Sequence, residues 1–378
     1  MFRLLPLLLL PFTLLADTIP LEIPGLPQAA ELSLPKNHST SGKHPTLFYY
    51  HGKGGSPTTK LMRAQTGDQD WIIVGMTYTQ ANFNLSPESL AAERASYQKA
   101  RQTLIAKHGT DPDQCYLAGF SLGGWFTDLM LQAEPSLKGG IIMGAGHAQK
   151  APGALPKYAT QKPVHIAIGR KDPNYIFALK GFLHHRALGG QVSLEVWPEH
   201  AHSFPLSGSE SLAQWLKLRH QSPASLKATA TKELSTALSK SDRLEPMLQW
   251  DRLIEIKSMP YFALTPPAWQ AEFQKTLTAL EATPEVKTEA SLYSRHRRLL
   301  HQEITKQTYT TIKTVNAAYG DLATKFPQTR QGKLLDSDFK RTTEVLKNVK
   351  IIPGKKQPAS IPTGPIQDRG IPRNPLIR

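Results

Sequence analysis

"CYLAGFSLGGWF", residues 115–126, places Ser121 between Gly119 and Gly123 at the end of an apolar run. The residues before it read as a buried strand, and those after it, through "GGWFTDLMLQAE", as a helix. A serine at that junction is either a nucleophile or part of an ordinary strand-to-helix turn. The flanking glycines fit both, because a residue without Cβ lets neighbouring backbones pack closely. A nucleophile needs more: a sharp turn that exposes it, a base, an acid to orient the base, and donors for an oxyanion. Its position ahead of a helix already supplies one element, since free N–H groups at a helix N-terminus face developing negative charge.

Outward from this junction, strands and helices alternate. "AELSLP" (30–35), "TLFYYHG" (46–52) and "WIIVGMTY" (71–78) read as strands upstream of it. Residues 86–108 read as a helix, with Ser86 as N-cap, Pro87 at the first helical position and Gly109 ending it. Downstream, "GGIIMGAG" (139–146), "PVHIAIGR" (163–170) and "VSLEVWP" (192–198) are further strands. Helical stretches fall at 122–133, 174–187 and 209–220. Continuous apolar strands alternating with helices predict an α/β fold with a mainly parallel central sheet and helices on both faces. That domain is expected over residues 30–220. From about 222 the pattern becomes helical throughout, as in "PPAWQAEFQKTLTALEA" (266–282), and predicts an all-α extension over 225–350. This extension is either a docking module or a bundle packed on the first domain for stability.

The missing catalytic parts can be sought at later strand ends, where parallel sheets place ligands. Asp172 follows the strand at 163–170, in "GRKDPNY", and His200 and His202 follow the next one, in "EHAHSFP". Serine, acid and histidine thus appear in the chain order that a nucleophile on this kind of turn requires. For the oxyanion, the backbone N–H of Leu122 is one expected donor. The glycine-rich "HGKGGS" (51–56) supplies the other, with Lys53 preferred and Gly54 behind it. His51 is expected to be structural, and Trp125, Phe126 and Tyr175 are expected in the core rather than lining the pocket.

The ends of the chain and its charge bear on location. Arg3 precedes an apolar run of 12 residues, Leu4–Leu15, broken by Pro6 and Pro11. A membrane span needs about 20 apolar residues, so residues 1–16 read as a secretory signal peptide. Cys115 is the only cysteine, which excludes an intramolecular disulfide and a cysteine-type metal site. The net charge is +15, of which +10 lies in residues 221–378. Such an excess favours polyanionic surfaces, and with an export signal the expected partner is an anionic envelope or polysaccharide surface, not nucleic acid. The last stretch, 353–378, is rich in proline and positive charge and reads as a disordered tail.

Together, "LPKNHSTSGKHPTLFYYHGKGGS", "CYLAGFSLGG", "GRKD" and "EHAHSFP" resemble the α/β-hydrolase superfamily. Within it they are most similar to secreted serine esterases of the polyhydroxybutyrate depolymerase, feruloyl esterase and acetyl xylan esterase type. The resemblance covers roughly residues 30–220 and nothing after 222. It implies a His-Gly-x-Gly-Gly oxyanion loop and a His-x-Phe/Trp-Pro segment, which selects His202 over His200 as the base. The implied set is Ser121, Asp172 and His202, acting on an ester substrate, polymer-linked in relatives of this type, with no metal or cofactor. The chain departs from these relatives in carrying Lys53 where they often have a cysteine. Two other functions compete: a serine peptidase on the same fold, and a non-catalytic envelope-binding protein acting through the basic extension. Peptidases of this fold usually carry a large domain ahead of the hydrolase, and a binding protein has no use for a complete serine, acid and histidine set.

Overall fold

The computed structural model describes residues 18–155, 162–205, 208–220 and 223–348. The expected signal peptide (1–16) and the basic tail (353–378) lie outside them. The strands are β1 (Thr18–Leu21), β2 (Ala30–Ser33), β3 (His44–Tyr50), β4 (Ile72–Met76), β5 (Thr110–Phe120), β6 (Gly139–Met143), β7 (Val164–Gly169) and β8 (Val192–Trp197). They form one sheet in the order β1-β2-β4-β3-β5-β6-β7-β8. β1 and β2 are antiparallel, and every pairing from β4 through β8 is parallel. The chain leaves β3 for β4 on one side, then crosses back to β5 on the other. That reversal opens a crevice beyond the carboxyl ends of β3 and β5, the usual ligand position in such sheets.

Both faces of the sheet are covered, which is why its strands are apolar at every position rather than at alternate ones. Leu47, Tyr49, Tyr116, Ile141 and Met143 face one layer, containing α1 (Lys60–Thr66) and α5 (Glu210–His220). Phe48, Tyr50, Leu117, Ile142 and Ile166 face the other, built from α2 (Pro87–His108), α3 (Leu122–Ala133) and α4 (Tyr175–Ala187). The two sets alternate along each strand with the period of two that a pleat imposes. In α2 the Ser86 hydroxyl accepts from the Ser89 N–H at 3.3 Å, Pro87 follows it, and Gly109 closes the helix at φ 67°. This is the mainly parallel sheet with helices on both faces that the sequence predicts, though β1 and α1 were not foreseen. β1 is a short edge strand containing Pro20, a residue tolerated there because an edge N–H needs no partner.

The extension is helical, as expected, with α6 (Pro223–Ser241), α7 (Pro246–Ser258), a 3-10 turn (Phe262–Leu264), α8 (Pro267–Glu281), α9 (Pro284–Thr305), α10 (Tyr309–Lys325) and α11 (Arg330–Asn348). Proline opens α7, α8 and α9, where the missing N–H is no loss. One core joins α6, α7 and α8 around Leu253, Phe273 and Leu277, and a second joins α9, α10 and α11 around Val315, Tyr319 and Leu335. Neither is sealed from the sheet. Leu218 of α5 belongs to the first extension core, and Ile304 of α9 belongs to the core of the sheet. The extension packs on the sheet domain through these residues.

Candidate active site

Ser121 caps α3 with φ 55° and ψ −116°. A non-glycine residue in that region carries strain of about 1–3 kcal/mol and persists only where its surroundings over-determine it. They do so here. The Ser121 N–H donates to Met143 O at 2.8 Å, and Ser121 O accepts from the Trp125 N–H at 3.0 Å. A Cβ on Gly119 would lie 2.1 Å from the Gly123 carbonyl, and one on Gly123 would lie 2.1 Å from Tyr50 O. Both glycines are therefore demanded by close backbone approach, and the strand-to-helix turn that the sequence implied is present, with Ser121 half-exposed.

Two hydrogen bonds join the other candidates to it. His202 Nε2 lies 2.8 Å from Ser121 Oγ, and His202 Nδ1 lies 2.7 Å from Asp172 Oδ2. Exposure falls along the relay, from a His202 side chain 26% exposed to an Asp172 side chain 1% exposed. The free oxygen of Asp172 accepts the Asn174 N–H at 2.7 Å, and Asn174 Nδ2 in turn donates to Gly144 O at 3.0 Å. The Lys171 N–H donates to His200 O at 2.9 Å, so the loop bearing the acid is tied to the loop bearing the base. Phe120 packs a tilted ring against His202 at 5.0 Å. His200 takes another path: its Nδ1 meets Ser203 Oγ at 3.4 Å.

The expected oxyanion side lies across the crevice. A Cβ on Gly52 would meet Ser121 Cβ at 3.3 Å, so the 51–56 loop lies directly against the serine. The Gly55 N–H closes a turn onto Gly52 O at 3.1 Å, with Lys53 and Gly54 as its central residues. Among the described residues, the backbone N–H groups of Lys53 and Leu122 have no hydrogen-bond acceptor. His51 supports this turn from beneath: its Nδ1 donates to Gly52 O at 2.7 Å, and its carbonyl accepts from Tyr78 OH at 2.7 Å. Burial lowers the His51 pKa against the opposing pull of the Gly52 carbonyl, which favours a neutral ring. Trp125, Phe126 and Tyr175 all lie in the core.

Sequence reasoning missed the supports. Asn174 stands two residues after the acid, a spacing at which a carboxylate commonly accepts a backbone N–H, so it was legible in principle. Tyr78 was not, because its partner is a backbone carbonyl on another strand end. A second buried carboxylate also escaped notice. Asp128 sits between His147 Nδ1 at 3.1 Å and His185 Nε2 at 2.8 Å, and His147 stacks on His184 with centroids 3.6 Å apart. Burial raises the Asp128 pKa, but its two histidine hydrogen bonds prevail and hold it at about 2. Among the described residues, no group of three or more His, Cys, Asp or Glu could hold a metal ion. No described helix is long and apolar enough to cross a membrane.

No protein-family model and no curated protein matches the chain. Similar folds occur among solved structures at low identity. An esterase from Thermogutta terrifontis is 15% identical, with a TM-score of 0.41 over 54% of this chain and 89% of that one. A carboxylesterase from Mesorhizobium loti is 19% identical, with a TM-score of 0.42 over 53% of this chain and 98% of that one. An acylaminoacyl peptidase from Pyrococcus horikoshii is 14% identical, with a TM-score of 0.41 over 53% of this chain and 40% of that one.

Proposed function

We propose that the chain is an exported serine hydrolase that cleaves carboxylic esters through an acyl-enzyme. The observation that carries this reading is the unbroken relay from Ser121 Oγ through the His202 imidazole to Asp172, ending on a strained, half-exposed serine. His202 Nε2 takes the hydroxyl proton as Oγ attacks the ester carbonyl, and Asp172 holds the ring in the tautomer whose Nε2 can accept it. The backbone N–H groups of Lys53 and Leu122 stabilise the tetrahedral oxyanion, each such donor contributing about 3–4 kcal/mol. Collapse breaks the C–O bond, and the imidazolium returns its proton to the departing alcohol. Water then attacks the acyl-enzyme with His202 again as base, and Ser121 is released.

The residues around Ser121 belong to this reading; substrate and location extend it. A polymer-linked ester of the depolymerase or cell-wall esterase kind is the substrate class that the motif resemblance favours. Export rests on the leader-like residues 1–16. An anionic envelope surface suits the exposed face of α9, which carries Lys287, Arg295 and Arg298. Hydrolysis of a short-to-long series of p-nitrophenyl esters, beside Ser121→Ala, tests the core of the reading. Activity that disappears in the variant supports it, and equal hydrolysis by both proteins refutes it.

A further inference from the structure

Arg170 directly follows β7, two residues before Asp172, and its guanidinium does not turn to solvent. Nη1 donates to Asp338 Oδ1 at 3.2 Å, and Nη2 donates to Asp338 Oδ2, a fork-to-fork pair that reaches across to α11. Both side chains are buried, 6% and 1% exposed. The same guanidinium lies 4.2 Å over the ring of Tyr175, the first residue of α4, whose N–H donates to Asp172 O at 3.0 Å. Arg170 and Tyr175 therefore bracket the loop that carries Asp172, and one side chain of the extension grips the bracket. The Arg170 N–H also donates to Trp197 O at 2.9 Å, at the end of β8, the strand that precedes His202.

Asp338 is itself fixed from the other side. His296 Nε2 lies 2.6 Å from its Oδ2, and Arg341 Nη2 donates to its Oδ1 at 2.9 Å. Arg341 is held by Glu303 at 2.6 and 2.8 Å, and Tyr319 OH donates to Glu303 at 3.0 Å. Burial pushes the Asp338 carboxyl up, but the His296 hydrogen bond and the two arginines overcome it and hold it well below the ordinary carboxylate range. Two arginines face two carboxylates, and His296 adds a hydrogen bond to one of them. Removing one member alone would leave a buried charge without its counter-charge, which is why such a network holds one geometry.

We propose that Arg170 and Asp338 are positioning residues, by which the C-terminal helices clamp the Asp172 loop and set the geometry of the relay. The proposal rests on the serine-hydrolase reading for its kinetic consequence. Neither residue touches substrate; both act through Asp172 and His202. A misplacement of 1 Å at such a centre costs about a hundredfold in rate, so even partial loosening of the loop is visible in kcat.

The test compares Asp338→Asn with the paired replacement Arg170→Met and Asp338→Leu. The single change leaves a guanidinium without its carboxylate and threatens folding, whereas the pair removes both charges together. Three quantities are read on each full-length protein: the thermal midpoint, kcat and KM for p-nitrophenyl butyrate, and the low-field proton resonance of the imidazole N–H between His202 and Asp172. The expected result is a folded paired variant whose kcat is down about tenfold or more while KM stays within about twofold, with the resonance shifted or broadened. A folded paired variant with native kcat and a native resonance overturns the proposal. So does activity lost only in step with folded protein, in both variants, for then the pair serves folding alone. The hydrolase reading fails separately, by an inactive parent protein, and the resonance still reports on the clamp in that case.

Discussion

Ser121 is where backbone strain and the proposed chemistry meet. At φ 55° Ser121 sits where an L-residue is costly, and the cost persists because the sheet and α3 hold both its ends. Two variants separate strain from chemistry. Ser121→Ala and Ser121→Gly should both be inactive, but the glycine form should be the more stable by about 1 kcal/mol, because relief of strain outweighs its extra unfolded-state entropy. Urea unfolding of the two proteins checks this, and a more stable alanine form would count against strain at the elbow. Gly123→Ala should destabilise by at least about 1–3 kcal/mol, since its Cβ would meet Tyr50 O, a backbone atom that cannot swing away. A thermal midpoint unchanged from the parent would contradict that. At this scale the sequence was informative because the proposed chemistry lies in local motifs: Gly119-x-Ser121-x-Gly123, Asp172 after one strand and His202 after the next. The supports were less legible. Tyr78 and Asp338 act through contacts distant in sequence, and no local pattern announces them.

Among the elements, those with strong periodicity or clear caps were read closely, and those without were missed. Ser86, Pro87 and Gly109 marked both ends of α2. α1 is short and carries a buried arginine, Arg63, whose charge is met by Asp68 at 2.7 Å. A helix of that size with a charged residue inside gives no apolar stripe to detect. The C-terminal helices were legible as helices, but not their docking, because the residues that join the two parts are few. Ile304 is one of them: its side chain reaches from α9 into the core of the sheet. Ile304→Ala should cost about 2–5 kcal/mol, and the whole chain should unfold in one earlier transition by calorimetry. An α9–α11 transition that moves alone, leaving the sheet domain at its parent temperature, would contradict the shared core.

Over the whole molecule, the candidate site lies on the sheet domain with the extension packed behind its acid loop, and the stability of the fold carries a signature in pH. Burial, with the neighbouring His147 and His185, lowers the His184 pKa from 6.5 to about 4. Between those values the unfolded chain binds a proton that the folded chain refuses, so stability should rise with pH from about 4 to 6.5 and level off above. His184→Gln should flatten that rise, as followed by thermal midpoint against pH; an unchanged slope would remove His184 from the account. The net charge of +15 and its excess in residues 221–378 were visible in the sequence, but the helix faces that carry it were not, because a helix face is known only once the helix is docked. Everything nonetheless turns on Ser121 as nucleophile. The most direct measurement is intact mass and peptide mapping after reaction with a fluorophosphonate, for the parent chain and for His202→Gln. The account predicts a single adduct, located on Ser121 within residues 115–126, formed rapidly by the parent and far more slowly by the variant. A parent chain that takes up no label at Ser121, or a variant labelled at the same rate, would contradict it.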